Sequence, residues 1–214
     1  MAEVVIHSRL LSPYGWTSQL VAAEKGIDYR VAEAVPASPE HRALHPFAKV
    51  PVLEHGEVVI FETLAICHYL DRRFPGPALQ PVDCLGQARM LSWISAYNAY
   101  VFPPLNLLVK ERYAASFRGE EPDAEAIANL TAALDLPMAT IETALERHSF
   151  LVGEHFTLAD AFLLPMLHIA AFGPEFSEAL AARPAARAWL GRVRARPSFA
   201  ATNPLPACPA PQAA

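Results

Sequence analysis

The chain has 214 residues, 53% of them hydrophobic, with a formal net charge of −5 and a pI near 5.9. This composition predicts a soluble globular protein of one large or two ordinary domains, and the lack of a basic stripe argues against nucleic-acid binding. No apolar run reaches the roughly 18 residues of a membrane span, and no basic segment followed by an apolar core opens the chain. We therefore expect a cytoplasmic protein that binds neither nucleic acid nor membrane.

The cysteine and histidine spacing gives no metal or disulfide signature. Cys67, Cys84 and Cys208 are far apart and form no CxxC motif, which disfavours a disulfide framework and a structural zinc site. His41 and His45 have helical i, i+4 spacing, but no cysteine or carboxylate stands at ligand spacing. We expect no metal, and we interpret Cys67 as a small buried residue.

The first elements read as strand, helix, strand. Val4-Val5-Ile6 is a short β-type run, and Ser12-Pro13 opens a helical stretch that ends at Gly26. Serine suits the N-cap, proline the first helical position and glycine the left-handed position past the end. Residues 29–35 then give a second strand, which completes a βαβ unit.

A β-hairpin and a helix follow. Val52-Leu53 and residues 58–61 flank the turn His55-Gly56, and a helix is predicted from about Thr63 to Phe74. Val50-Pro51 opens the first of these strands, where a cis bond is plausible. The order βαβ then ββα, with this proline, predicts a thioredoxin-like domain.

Beyond residue 81 the pattern is helical throughout. Helices are predicted near residues 83–102, 105–117, 123–147, 158–171 and 184–195. Pro103-Pro104 would separate the first two helices, and Pro137 would kink the third. Thr157-x-x-Asp160 matches a capping box that matters for folding. The predicted division is a thioredoxin-like domain (1–78), a linker (79–83), an all-helical domain (84–200) and a Pro/Ala-rich tail (201–214).

The residues around the hairpin favour a short peptide ligand. Val50 can pair its N–H and C=O with an extended chain, because the following proline limits sheet pairing. Thr63 stands at a helix N-terminus, which binds carboxylates readily, and Glu62 offers an anion for an ammonium group. Glutathione has this set of groups.

The order and spacing of these pieces resemble the cytosolic glutathione transferases, in a form with serine at the active-site turn. The resemblance covers roughly residues 4–196 and includes Phe156-Thr157-Leu158-Ala159-Asp160. It implies that Val50 pairs with the cysteinyl backbone of glutathione, and that Lys49 and Pro51 also belong to the glutathione site. It implies further that Glu62 holds the γ-glutamyl ammonium and that Thr63 holds the carboxylate.

Three positions depart from the family pattern. The family usually has Asn before the loop proline, Gly before the Lys and Ser after the Glu, whereas this chain has His45, Ala48 and Thr63. The threonine keeps the hydroxyl, and the other two changes affect the geometry of the loop.

The resemblance makes Ser12 the catalytic residue, which would stabilise the glutathione thiolate. Local sequence alone favours a helix cap, and the two roles are compatible because the cap lies at the positive end of the helix. Tyr14 is a rival for the hydroxyl role or a pocket residue. The resemblance also places Tyr97 and Tyr113 in the pocket for a small apolar electrophile, and predicts a homodimer through helix faces near residues 67–73 and 90–97.

Other functions compete with glutathione conjugation. A maleylacetoacetate-type isomerase tends to carry Ser-Ser-Cys at this turn, which Ser12-Pro13-Tyr14 does not match, and disulfide reduction lacks its cysteines here. A protein that binds glutathione or a hydrophobic ligand without turnover remains a third alternative.

Overall fold

The computed structural model of the protein describes residues 2–35 and 37–205, which form two compact units. The first unit contains the described residues up to 79 and those from 195 on, and the second contains residues 80–194. Cys208 and residues 206–214 of the predicted tail lie outside the described part of the chain.

The first unit contains a four-stranded sheet with helices. Its elements are β1 (Val4–Ser8), α1 (Pro13–Glu24), β2 (Tyr29–Glu33), α2 (Pro39–Leu44), β3 (Val52–His55), β4 (Val58–Phe61), α3 (Thr63–Arg73) and α10 (Pro197–Thr202). The strand order is β2-β1-β3-β4, with β1 parallel to β2 and the other two pairs antiparallel. The predicted thioredoxin-like βαβ-ββα arrangement is confirmed. The short helix α2 was not predicted, because the three prolines among residues 36–46 are typical of a loop.

Local sequence sets the ends of α1, and burial sets its position. Ser12 is the N-cap, Pro13 is the first helical residue, and Gly26 just past the end has φ 65°. The side chains of Trp16 and Leu20 are buried in the unit. The predicted helix boundaries are therefore confirmed.

The end of the described chain returns to the first unit through α10. Trp16 Nε1 donates a hydrogen bond to Thr202 Oγ1 at 2.9 Å. Arg196 forms a bidentate salt bridge with Glu24, with N–O distances of 2.6 and 2.7 Å. The Ser198 hydroxyl also donates a hydrogen bond to the Glu24 carboxylate. The sequence-based division grouped residues 195–200 with the helical half, since contacts so distant in sequence leave no local pattern.

The second unit is entirely helical in its described elements. They are α4 (Cys84–Ala96), a π-helical turn (Tyr97–Val101), α5 (Phe102–Arg118), α6 (Ala124–Leu145), α7 (Leu158–Ala170), α8 (Pro174–Ala181) and α9 (Pro184–Arg194). The predicted all-helical half is confirmed. The predicted break at Pro103-Pro104 is wrong: the prolines lie in the first turn of α5, where amide donors are not needed, and the π-helical turn precedes them. The helix α8 was also missed.

A buried carboxylate joins three parts of the second unit. Asp160 is fully buried and accepts hydrogen bonds from Leu151 N (3.1 Å), Thr157 N (2.9 Å), Thr157 Oγ1 (3.0 Å) and Trp189 Nε1 (2.9 Å). The capping box at the start of α7 is confirmed. Asp160 also ties the preceding loop and α9 to this helix.

Within residues 2–35 and 37–205, no helix combines the length and apolar character required to cross a membrane.

Candidate active site

Three segments that carry the predicted ligand groups meet at one edge of the sheet. In the β1–β3 pair, His7 lies opposite Val52, so the end of β1, which leads to Ser12, lies beside the start of β3. In the β3–β4 pair, Val52 lies opposite Phe61, which brings the start of β3 next to Glu62-Thr63. The register of the sheet therefore gathers the three segments, although they are far apart in sequence.

Ser12 Oγ lies at the N-terminus of α1 and accepts a hydrogen bond from Gly15 N at 3.2 Å. Ser12 is partly exposed. None of the hydrogen bonds found in the described chain uses its hydroxyl as a donor, so the proton is available for a ligand. The helix terminus adds a favourable field for an anion at this place.

Gly15 is required by the close approach of β1 to α1. A Cβ on Gly15 would lie 1.8 Å from Ser8 Oγ and 3.3 Å from Ser12 Cβ. Any larger residue would therefore displace Ser8, Ser12 or the start of the helix. The sequence predicted the turn at Ser12-Pro13, but it gave no signal that α1 packs so closely against Ser8 of β1.

Lys49, Val50 and Pro51 lie in the segment that leads into β3. The Val50-Pro51 peptide bond is cis. Val50 precedes the paired residues of β3, and none of the backbone hydrogen bonds found outside the described helices and strands uses its N–H or C=O. Ala48, where the family has Gly, has φ 52°. Val50 can thus offer its backbone to an extended ligand.

Glu62 and Thr63 form the junction between β4 and α3. Glu62 is the N-cap, with φ 70° and ψ 119°, and its side chain makes no capping hydrogen bond. The amides of the first turn have no intrahelical partner, so the N-terminus of α3 can receive a carboxylate. The side chain of Glu62 is exposed. Residues other than glycine with a positive φ, such as Glu62, occur preferentially at functional sites.

Two histidines beside this site were not recognised as site residues from the sequence. His41 Nε2 lies 2.7 Å from Lys49 O, and Phe47 N donates to His45 Nδ1 at 3.2 Å. Both histidines are buried. The departure of His45 from the family pattern was the one available signal.

Tyr14 lies within electrostatic reach of Glu62. Burial raises the pKa of the Tyr14 phenol, and the Glu62 carboxylate raises it further. Tyr14 therefore stays a neutral phenol at physiological pH, able to donate a hydrogen bond.

The predicted residues Tyr97 and Tyr113 belong to the second unit. Tyr97 is buried and contributes to a cavity of about 770 Å³ that lies among α4, α5, α6 and α7. Its lining is largely apolar, and includes Trp93, Tyr100 and Leu107. Tyr113 is 58% exposed and does not line this cavity.

The described residues contain no group of three or more His, Cys, Asp or Glu side chains placed to hold a metal ion. Cys67 is buried, and burial raises the pKa of its thiol.

Family models match both halves of the chain. The model for the N-terminal domain of glutathione S-transferases matches residues 6–78, and the model for the C-terminal domain of glutathione S-transferases matches residues 124–192.

Individual relatives match over nearly the whole chain. Glutathione S-transferase 3 of Zea mays is 30% identical over 224 aligned positions, which cover 100% of both chains. Glutathione S-transferase 4 of Zea mays is 30% identical and covers 91% of this chain and 89% of its own.

Solved structures of glutathione S-transferases also match nearly the whole chain. Glutathione S-transferase III in its apo form superimposes with a TM-score of 0.86 at 29% identity, over 97% of this chain and 100% of its own. The theta class glutathione S-transferase of Xanthomonas axonopodis pv. citri, solved with glutathione bound, gives a TM-score of 0.80 at 26% identity, over 94% of this chain and 97% of its own.

Proposed function

The chain belongs to the glutathione S-transferase family, and we propose that it adds the thiolate of glutathione to a small hydrophobic electrophile, with Ser12 stabilising the thiolate. One observation carries the catalytic assignment. Ser12 Oγ accepts from Gly15 N and keeps its own proton for a ligand, at the positive end of α1. A sulfur atom placed at this hydroxyl would receive both the hydrogen bond and the field of the helix.

The proposal assigns the glutathione backbone and its charged ends to the first unit. Val50 pairs with the cysteinyl backbone, flanked by Lys49 and by the cis proline Pro51. Glu62 holds the γ-glutamyl ammonium, and Thr63 holds the carboxylate at the N-terminus of α3. The shared sheet edge and the uncapped helix terminus support this assignment. The theta class relative that was solved with glutathione bound supports glutathione as the ligand.

The energy available from Ser12 matches the change that thiolate formation requires. A thiol with a pKa of about 8.5 is about 3% ionised at pH 7, and lowering the pKa to about 6.5 requires about 2.7 kcal/mol. A hydrogen bond to a charged group contributes about 1.5–3 kcal/mol, and the helix terminus about 0.3–1 kcal/mol. Nucleophilicity falls with pKa, so the net gain in rate at pH 7 is only about two- to threefold. Positioning of the electrophile must supply most of the acceleration.

Ser12→Ala tests the role of the hydroxyl. The ultraviolet absorbance of the thiolate is titrated against pH for glutathione bound to each protein, and kcat/KM is measured with 1-chloro-2,4-dinitrobenzene. We expect the bound thiol pKa to rise by about 1–2 units in the variant, with a loss of activity that is largest below about pH 7.

The exposed Ser177 of α8 provides the control, since it lies outside the candidate site and outside the predicted dimer faces. Ser177→Ala should leave both measurements unchanged. An equal pKa for free and bound glutathione in the wild-type protein would remove Ser12 from the catalytic role. Full turnover in Ser12→Ala at every pH would do the same, whereas binding without turnover in both proteins would favour the non-catalytic alternative.

Tyr14, Tyr97 and Tyr113 remain our proposed contacts for the electrophile. Tyr14 lies beside Glu62 in the first unit, and Tyr97 lines the cavity of the second. Phenylalanine at each position should change KM for the electrophile more than KM for glutathione, as expected for a pocket with few apolar contacts.

We also propose a homodimer, as the family resemblance implies. The predicted faces include His68 and Leu91, which are both exposed in the described chain. Light scattering during gel filtration should give twice the mass of one chain. A single-chain mass at micromolar concentration would exclude the dimer.

A further inference from the structure

The segment before Val50 is attached to the end of α2 by three consecutive hydrogen bonds. Phe47 N donates to His45 Nδ1 at 3.2 Å, and Ala48 N donates to His45 O at 2.8 Å. Lys49 O lies 2.7 Å from His41 Nε2. Each of the three residues that precede Val50 is thus held by a histidine of this helix or its cap.

His41 acts as a donor in this arrangement. Lys49 O is a carbonyl oxygen and can only accept, so Nε2 of His41 carries a proton. The bond is compatible with the neutral and with the protonated imidazole. The backbone N–H of His41 donates to Ser38 Oγ, the N-cap of α2, which fixes the start of the helix.

His45 acts as an acceptor, and this role depends on its charge. Phe47 N is a donor, so Nδ1 of His45 is unprotonated and its proton is on Nε2. Protonation at Nδ1 would place two donors face to face. The imidazolium form of His45 is therefore incompatible with the hydrogen bond that holds Phe47.

The surroundings of His45 favour the neutral form. Its ring is buried next to Phe61, with centroids 5.0 Å apart, and next to Phe47, with centroids 6.1 Å apart. The charged or titratable groups that face it are Glu62 from the β4–α3 junction, His41 from α2 and Lys49 from the loop. Burial lowers the pKa of His45, Lys49 and His41 lower it further, and Glu62 opposes them.

We propose that His45 is a positioning residue: neutral His45, together with His41, holds the Lys49-Val50 segment in the geometry that binds glutathione, and protonation of His45 releases it. The proposal rests on the proposed function, because it assumes that Val50 binds the glutathione backbone. It predicts that affinity for glutathione falls on acidification, independently of the thiol.

S-Methylglutathione is the probe, because its sulfur cannot ionise. Its dissociation constant is measured by calorimetry between about pH 4.5 and 7, because burial lowers the pKa of His45 below that of an exposed histidine. For the wild-type protein we expect Kd to rise by about two- to tenfold toward the acidic end, the effect of losing one hydrogen bond.

His45→Asn is the matched variant, since an amide oxygen can accept from Phe47 N but does not titrate in this range. Its Kd should stay constant with pH and equal the neutral wild-type value. His45→Ala should bind weakly at every pH, with a raised KM for glutathione and an unchanged kcat. His148→Asn, at an exposed histidine of the second unit, should keep the wild-type pH profile.

The outcomes separate this inference from the proposed function. A pH-independent Kd in the wild-type protein would overturn the inference and leave the proposed function intact. A wild-type pH profile in His45→Asn would also overturn it. If the wild-type protein does not bind S-methylglutathione even at pH 7, both fail. A circular dichroism spectrum and a melting curve confirm that each variant is folded.

Discussion

Replacement of Asp160 by alanine should destabilise the second unit strongly. The carboxylate is fully buried and accepts four hydrogen bonds from Leu151, Thr157 and Trp189. Each buried donor that loses its partner costs about 1–3 kcal/mol, and the losses are not additive. We expect about 3–5 kcal/mol in total, the usual cost of breaking a buried polar network. For a chain of this length, the melting midpoint should fall by roughly 6–20 °C.

Two further variants make the test specific. Asp160→Asn keeps one accepting oxygen but turns an amide group toward Thr157 N, so about half of the loss or less is expected. Asp135→Ala removes an exposed carboxylate that lies 3.5 Å from Arg183, and should cost less than about 1 kcal/mol. Melting is followed by circular dichroism. A fall below about 3 °C in Asp160→Ala would show that the donors find other partners, and the reasoning would be wrong.

Three other predictions concern the first unit. Gly15→Ala should cost about 1–3 kcal/mol and lower kcat/KM, because the new Cβ would lie against Ser8 Oγ; unchanged melting and activity would contradict this. Lys25→Ala should cost about 3–5 kcal/mol in urea unfolding, since it leaves the buried Asp71 carboxylate without its cation at 3.1 Å. Cys67, buried and with a raised thiol pKa, should resist iodoacetamide in the native protein and react only after unfolding, as mass spectrometry would show.

Local chemistry was enough to predict the elements with strong end signals. Ser12, Pro13 and Gly26 delimit α1, and Glu62-Thr63 marks the start of α3, because caps and turns depend on adjacent residues. The short helices α2 and α8 were missed, since helices of one or two turns are stabilised by tertiary contacts more than by propensity.

The sequence predicts residues for the candidate site but does not predict its geometry. The motif around Val50 and Glu62 pointed to a peptide ligand, and the resemblance supplied Ser12. The left-handed backbone of Glu62 and the hydrogen bonds of His41 and His45 depend on neighbours in space. Apart from the departure of His45 from the family pattern, the sequence contains no signal for them.

The return of α10 to the first unit also bears on how the chain is synthesised. Glu24 and Arg196 are separated by 172 positions, so Glu24 is synthesised long before the arginine that forms its salt bridge. Until then Trp16 also lacks the hydroxyl of Thr202. The strands and α1 are therefore synthesised first, and the contacts of α10 with them can form only at the end of synthesis. A nascent chain that stops before residue 195 lacks the hydrogen-bond partner of Trp16. Synthesis from the N-terminus therefore delays complete folding of the first unit until its C-terminal helix α10 is available.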